Sequence, residues 1–192
     1  MRVFKTYQDF DIAIFDDPDY NPNSVDNSRT YNSIYCDKDH DDYMYVVKHG
    51  IEITCENEIR YSALVASSGG MTCPHSNSVV IDKNTLAICC GDSVFFLTFP
   101  TLDLLLKTQA DSATCFEIFE YESDFIIHGE LEITRIDKKG NKVWTFSGSD
   151  IFTSPTGKDD FKIIGHYIYA INWDRILFKL SAETGQQLVE AK

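Results

Sequence analysis

TLAICCGDSVFFLTFPTLDLLLKTQ, residues Thr85 to Gln109, carries the pattern from which the architecture is read. Two apolar runs, Leu86–Cys90 and Val94–Leu97, flank Gly91-Asp92. Such runs are too short for a helix and rich in β-branched and aromatic residues, so they read as strands joined by a tight turn. Leu102 to Lys107 is leucine-rich and undecided by pattern alone; its surroundings make it a third strand.

Two later segments repeat the arrangement. DFIIHGELEITRIDKKGNKVWTF spans Asp124 to Phe146, and HYIYAINWDRILFKLSAETGQQLVE spans His166 to Glu190. Each has an apolar strand, a turn with an acid (Asp92, Glu130 or Asp174), a second strand, a polar turn and a third strand. The second strands end at Phe99, Ile136 and Leu180, a recurrence of roughly 40 residues that matches propeller blades. A further strand fits before each unit, at Ser78–Ile81, Thr114–Tyr121 and Phe161–Ile164. The expected fold is therefore all-β, a β-propeller-like array of three to four four-stranded antiparallel sheets. Four blades is the lower bound for a closed ring, so the alternatives are a closed ring and an incomplete one, left open or completed by another chain.

Asp137-Lys-Lys-Gly140-Asn-Lys-Val-Trp144 and Ser181-Ala-Glu-Thr-Gly185-Gln-Gln-Leu188 resemble the Leu-Asp-x-x-Thr-Gly-x-x-x-Trp turn of PQQ-like β-propeller repeats, which are related in architecture to WD40-like repeats. The resemblance covers roughly residues 78–192. The first unit departs from it, with Pro100-Thr101-Leu102-Asp103 and no glycine, and only the second unit keeps the tryptophan. In that family the repeat marks the fold. The quinone-binding enzymes are far longer, so the resemblance implies blades and no cofactor.

The N-terminal part differs. Residues 9–42 hold ten aspartates against two bases, Arg29 and Lys38. Asp17-Pro18 and Asn21-Pro22 mark turns. Strands are expected at Asp11–Phe15, Thr30–Tyr35, Tyr43–Lys48, Ile51–Cys55 and Ile59–Ala66, forming an atypical blade or a capping sheet. Residues 1–66 thus read as an acidic, Tyr-rich segment of the same domain. The polar stretch 67–77 is a loop, and 78–192 carry the repeats.

The whole chain has a net charge of −13 and a pI near 4.6. Such a surface repels phosphate backbones and anionic lipid, so no nucleic-acid or membrane partner is expected. MRVFKTYQDFDIAIFDD lacks the apolar core of a signal peptide, and no run approaches the roughly 20 apolar residues of a membrane span. A cytoplasmic location is the expectation. Six cysteines could suggest disulfides, but Cys89-Cys90 sits in an apolar strand and reads as a pair of buried thiols.

Motifs of catalysis are missing: no Gly-x-Ser-x-Gly elbow, no phosphate loop and no dinucleotide fingerprint. The chain is not expected to be an enzyme. Asp37, Asp39 and Asp41 alternate as at the start of a calcium loop. The pattern then fails, because Asp42 stands where glycine belongs and Lys48 where glutamate belongs. A solvated acidic loop is the alternative. Cys36 with His40, and Cys73 with His75, lack the paired spacing of a zinc site. His128 and His166 are expected to pack or hydrogen-bond within strands.

Six of the ten tyrosines interleave with this acid: Tyr7, Tyr20, Tyr31, Tyr35, Tyr43 and Tyr45. Either they cover the sheet, or they join Asp16, Asp17, Asp19, Asp39, Asp41 and Asp42 in a face for a basic protein partner. The functional expectation is a non-catalytic protein-binding module, such as an acidic immunity-type inhibitor of a basic toxin. A small-ligand-binding protein or enzyme with a site at the blade centre, and a calcium-dependent scaffold, are the alternatives.

Overall fold

The computed structural model describes residues 2–36, 47–157 and 160–188, and no helix occurs among them. Strands β1 (Arg2–Tyr7), β2 (Phe10–Asp16), β3 (Ser33–Tyr35), β4 (Val47–Cys55) and β5 (Glu58–Ser67) make the first sheet, in the order β1-β2-β4-β5-β3. The second contains β6 (Val79–Asp82), β7 (Thr85–Cys90), β8 (Ser93–Thr98) and β9 (Leu104–Gln109). The third contains β10 (Cys115–Tyr121), β11 (Asp124–Gly129), β12 (Glu132–Ile136) and β13 (Lys142–Ser147). The fourth contains β14 (Phe161–Ile164), β15 (Tyr167–Ile171) and β16 (Leu177–Ser181). The propeller-like array expected from the repeats is what the chain forms.

Side chains alternate across a strand, so an apolar run without polar interruption feeds two cores. Leu86, Ile88, Cys90, Phe95 and Leu97 face the first sheet, meeting Ile12, Ile14, Ile51, Ile53 and Val65. Their neighbours Ala87, Cys89, Val94 and Phe96 face the other way, onto Ile118, Phe125 and Ile127 of the third sheet. Ile126 and Ile133 then meet Ile168, Ala170, Phe178 and Leu180 of the fourth. Among the described residues no core joins the fourth sheet back to the first, so the ring is open.

Several details depart from expectation. Val47–Cys55 is one strand, with no turn at Gly50. That glycine serves close approach instead: a Cβ there would lie 2.6 Å from the Phe15 ring and clash with the Tyr31 hydroxyl. Short β3 runs parallel to β5, the other ladders being antiparallel. Strand β1 was not foreseen. The fourth sheet has three strands, and beyond them only a bridge between Leu180 and Gln187 starts a fourth. Strand β9 begins at Leu104 because Leu102 is fully buried in the preceding turn, with φ at 61°.

The motif residues meet across sheets. Trp144, third in β13, lies on the turn of the next repeat, where a Cβ on Gly185 would come within 2.6 Å of its indole. Its Nε1 donates to the Ala182 carbonyl at 3.2 Å. Leu106, third in β9, bears in the same way on Gly140, at 2.8 Å from a would-be Cβ. Leucine thus occupies in the second sheet the place that tryptophan takes in the third.

Asp111 ties the second and third sheets. One oxygen accepts from the Ala113 and Thr114 amides at 2.6 and 2.9 Å. The other accepts from the Leu131 and Glu132 amides at 2.9 and 2.7 Å. The carboxylate is fully buried. All six cysteines are free thiols, and burial pushes Cys89, Cys90 and Cys115 well above the usual thiol range.

Asp111→Ala strips four amides of their acceptor and is expected to cost about 3 kcal/mol or more, read as a lower urea midpoint. Gly185→Val forces a β-branched residue to a φ of 70° and displaces Trp144. It is expected to lose about 2 kcal/mol or more in the same titration.

Candidate functional site

The acidic segment between β2 and β3 folds over the outer face of the first sheet, the face turned away from the second. Its anchors are the residues that look functional in sequence. Asp17 is buried, and the Tyr31 hydroxyl donates to its carboxylate at 2.5 Å. Burial and that donation to an anion push the Tyr31 phenol far above its usual value. Tyr20 is buried edge-to-face against Tyr31, with ring centroids 5.0 Å apart. Lys48 Nζ closes the segment by donating to the Tyr20 and Pro18 carbonyls at 2.8 and 3.2 Å. Asn27 pins the turn through the Asn21 and Ser24 carbonyls, at 2.7 and 2.9 Å.

Asp16 faces inward, 3.1 Å from His49 Nδ1. Burial opposes its ionisation, but bonding to His49 and Cys73 outweighs that and holds the carboxyl below the usual range. Tyr35 bridges the first two sheets, donating to the Leu102 carbonyl at 2.9 Å and accepting from the Leu104 amide at 3.1 Å. Asp37, Asp39, Asp41, Asp42 and Tyr43 lie outside the described residues. Among the described residues no group of three His, Cys, Asp or Glu is arranged to hold a metal.

The folded segment leaves a hollow of about 470 Å³ lined by Asp17, Asp19, Tyr20, Asn21, Ser24, Asp26, Asn27 and Ser28. Asp19 and Asp26 are exposed at its rim, whereas Asp17 forms the wall. Carboxylates and amide oxygens around a concavity of this size suit an ammonium or guanidinium group from a partner. Sequence brings Asp17, Asp19 and Tyr20 together by adjacency. Asp26 and Asn27 were not singled out, and their only signal is the density of turn-forming residues around them.

A second concavity, of about 490 Å³, runs along β10 and reaches β14, edge strands of their sheets. His75, Asn77, Phe116, Glu117, His128 and Asp160 line it. Phe161 stacks on His128 at 4.4 Å between centroids. His128 lies between the Glu117 carboxylate at 2.8 Å and the Phe152 carbonyl at 2.7 Å. Asn77 donates to the other Glu117 oxygen at 2.9 Å. Burial opposes ionisation of Glu117, but the bonds from His128 and Asn77 prevail and hold its carboxyl below the usual range. Both Glu117 oxygens and both His128 ring nitrogens already have partners, so this pair is a closed polar network within the cleft wall. The sequence signal for it was a histidine inside the apolar run Phe125–Gly129, read as packing or hydrogen bonding.

These sheets, joined face to face by three cores, define a β-propeller array. The computationally designed Ika8 protein superposes at a TM-score of 0.52 and 12% identity, over 74% of this chain and 45% of that one. BamB from Moraxella catarrhalis matches 74% of this chain and 44% of its own, at 14% identity and a TM-score of 0.49. The Neurospora crassa Pan2 WD40 domain matches 59% of this chain and 36% of its own, at 9% identity and a TM-score of 0.48. The chain thus spans less than half the length of each. No protein-family model matches it, and no curated protein matches it in sequence.

Glu117 sets a pH dependence. Its folded pKa is lowered, so the unfolded chain binds more protons as pH falls. The stabilisation is complete above the unfolded value of about 4.3 and is lost as pH drops through the folded one. Glu117→Gln is expected to be less stable than wild type at neutral pH, with the gap closing below about pH 4. Urea titrations across that range measure it.

Proposed function

We propose that this protein is a non-catalytic protein-binding module that offers the acidic hollow of its first sheet to a basic protein. One observation carries the reading. Residues 17–32 are pinned by Tyr31, Lys48 and Asn27, yet Asp19 and Asp26 stay exposed around a preformed concavity. Preorganised carboxylates lose little entropy on meeting a cation and accelerate encounter with a basic surface. The net charge of −13 extends that attraction over the molecule. A concrete form is a cytoplasmic immunity-type inhibitor whose acid occupies the basic surface of a toxin. The His128 cleft supports a small-ligand reading less well, because its polar atoms bond to one another.

The test is recovery of a basic protein from the native host on immobilised wild type and on Asp19→Lys/Asp26→Lys. Wild type is expected to retain it at low salt and release it at about 0.5 M, where screening shortens to a few ångströms. The double reversal is expected to weaken binding roughly tenfold or more. Retention that ignores both salt and the reversal would sink the reading, as would recovery of no basic protein.

A further inference from the structure

The two ends of the array are finished differently. On the first sheet the outer face is covered: Ala13, Phe15, Leu64 and Ala66 are buried, with Tyr31 against Gly50 and Arg29 at 4.6 Å over the Phe15 ring. On the fourth sheet the inner face meets the third through Ile168, Ala170, Phe178 and Leu180. Among the described residues no core covers its outer face. Register places Lys162, Tyr169 and Lys179 in one row there, Ile164 and Tyr167 in the next, and Ile171 beside Leu177. Leu177 is 57% exposed, Ile164 55% and Tyr167 43%. A hollow of about 340 Å³ opens between Lys162, Ile164, Tyr169, Ile171 and Leu177.

The charge on this face runs against that of the molecule. Lys179 sits 4.8 Å over the Tyr167 ring and Lys162 5.8 Å over that of Tyr169. Neither lysine has an ion-pair partner among the described residues. An apolar sheet face carrying two cations is incomplete in water. It calls for a surface with apolar groups set among carboxylates.

We propose that this face receives the acidic first-sheet end of a second copy of the chain, so that two copies join head to tail. The chain supplies both halves of the contact. Beside the hollow on the first sheet, Val25 is 98% exposed between Ser24 and Asp26, which line the hollow together with Asp19. Apolar Val25 fits the fourth-sheet face between the lysines, and Asp19 and Asp26 answer Lys162 and Lys179. Joining like to like, fourth sheet to fourth sheet, would set these lysines against each other. A head-to-tail contact also continues the stacking order of the array, and a ring closes when both copies make it.

A second copy and a basic protein would compete for Asp19 and Asp26; the purified chain, with no other protein present, tests the self-contact alone, so its outcome is separate from that of the partner reading. Sedimentation velocity between about 1 and 100 µM is expected to show a dimer at low salt, weakened roughly tenfold or more at about 0.5 M. Lys162→Glu/Lys179→Glu is expected to be monomeric, and so is Asp19→Lys/Asp26→Lys. An equimolar mixture of the two is expected to restore a dimer, because each reversed face then meets its complement in the other variant. The restored dimer also shows that both variants fold. Leu177→Asp, on a side chain that packs little within its own copy, is expected to abolish the dimer independently. A wild type that stays monomeric overturns the proposal. So does a dimer that survives the lysine reversals, and so do folded variants that fail to combine.

Discussion

Every interior sheet of this protein must bury two faces, and the rest of the structure follows from that requirement. Strands β7 and β8 have no polar side because neither side meets water: Leu86 and Ile88 serve one core, Ala87 and Cys89 the next. Burying both faces forces sheets to stack in series. Apolar area is worth roughly 25 cal/mol per Å², so a stack gains stability from each added interface. The same rule makes the two ends special, since each end sheet has a face with no neighbour.

The ends are resolved by opposite chemistry. At one, residues 17–32 fold over Phe15 and Leu64 and turn acid outward, with Asp17 serving as the inner acceptor for Tyr31. At the other, Tyr167 and Leu177 are exposed, with Tyr169 half-buried between two lysines. The acidity of the chain is therefore an arrangement as well as a total. Part of it is structural, as at Asp17 and Asp111, where a buried carboxylate satisfies donors that the fold would otherwise leave unpaired. Asp19, two residues from Asp17, and Asp26, which lines the same hollow, stay exposed instead.

Much of the architecture is legible in the sequence. The blade strands at Cys115–Tyr121 and Phe161–Ile164 lie where the repeats place them. That follows from period-two alternation and turn residues, which are local properties. Gly50 shows the limit. Sequence reads it as a break between strands, whereas it is a flat position kept small by Phe15 and Tyr31 arriving from elsewhere. Leu106 shows the same limit from the other side. Nothing local marks it as the counterpart of Trp144 until both are seen against the glycine of the following sheet. The roles of Asp17, Tyr20 and Tyr35 were open for a similar reason, because burial depends on what folds over a side chain.

By itself the sequence determined the strands, the repeat, the all-β class and the concentration of acid in residues 9–42. Each is written in spacing and composition over a few neighbouring residues. Tertiary structure decided which acids turn inside, how His128 pairs with Glu117 and the Phe152 carbonyl, and which sheet face exposes Ile164, Tyr167 and Leu177. Those outcomes depend on contacts between residues tens of positions apart. The charge of a segment can be read from its letters, but the part of it that faces water is set by the chain that packs against it.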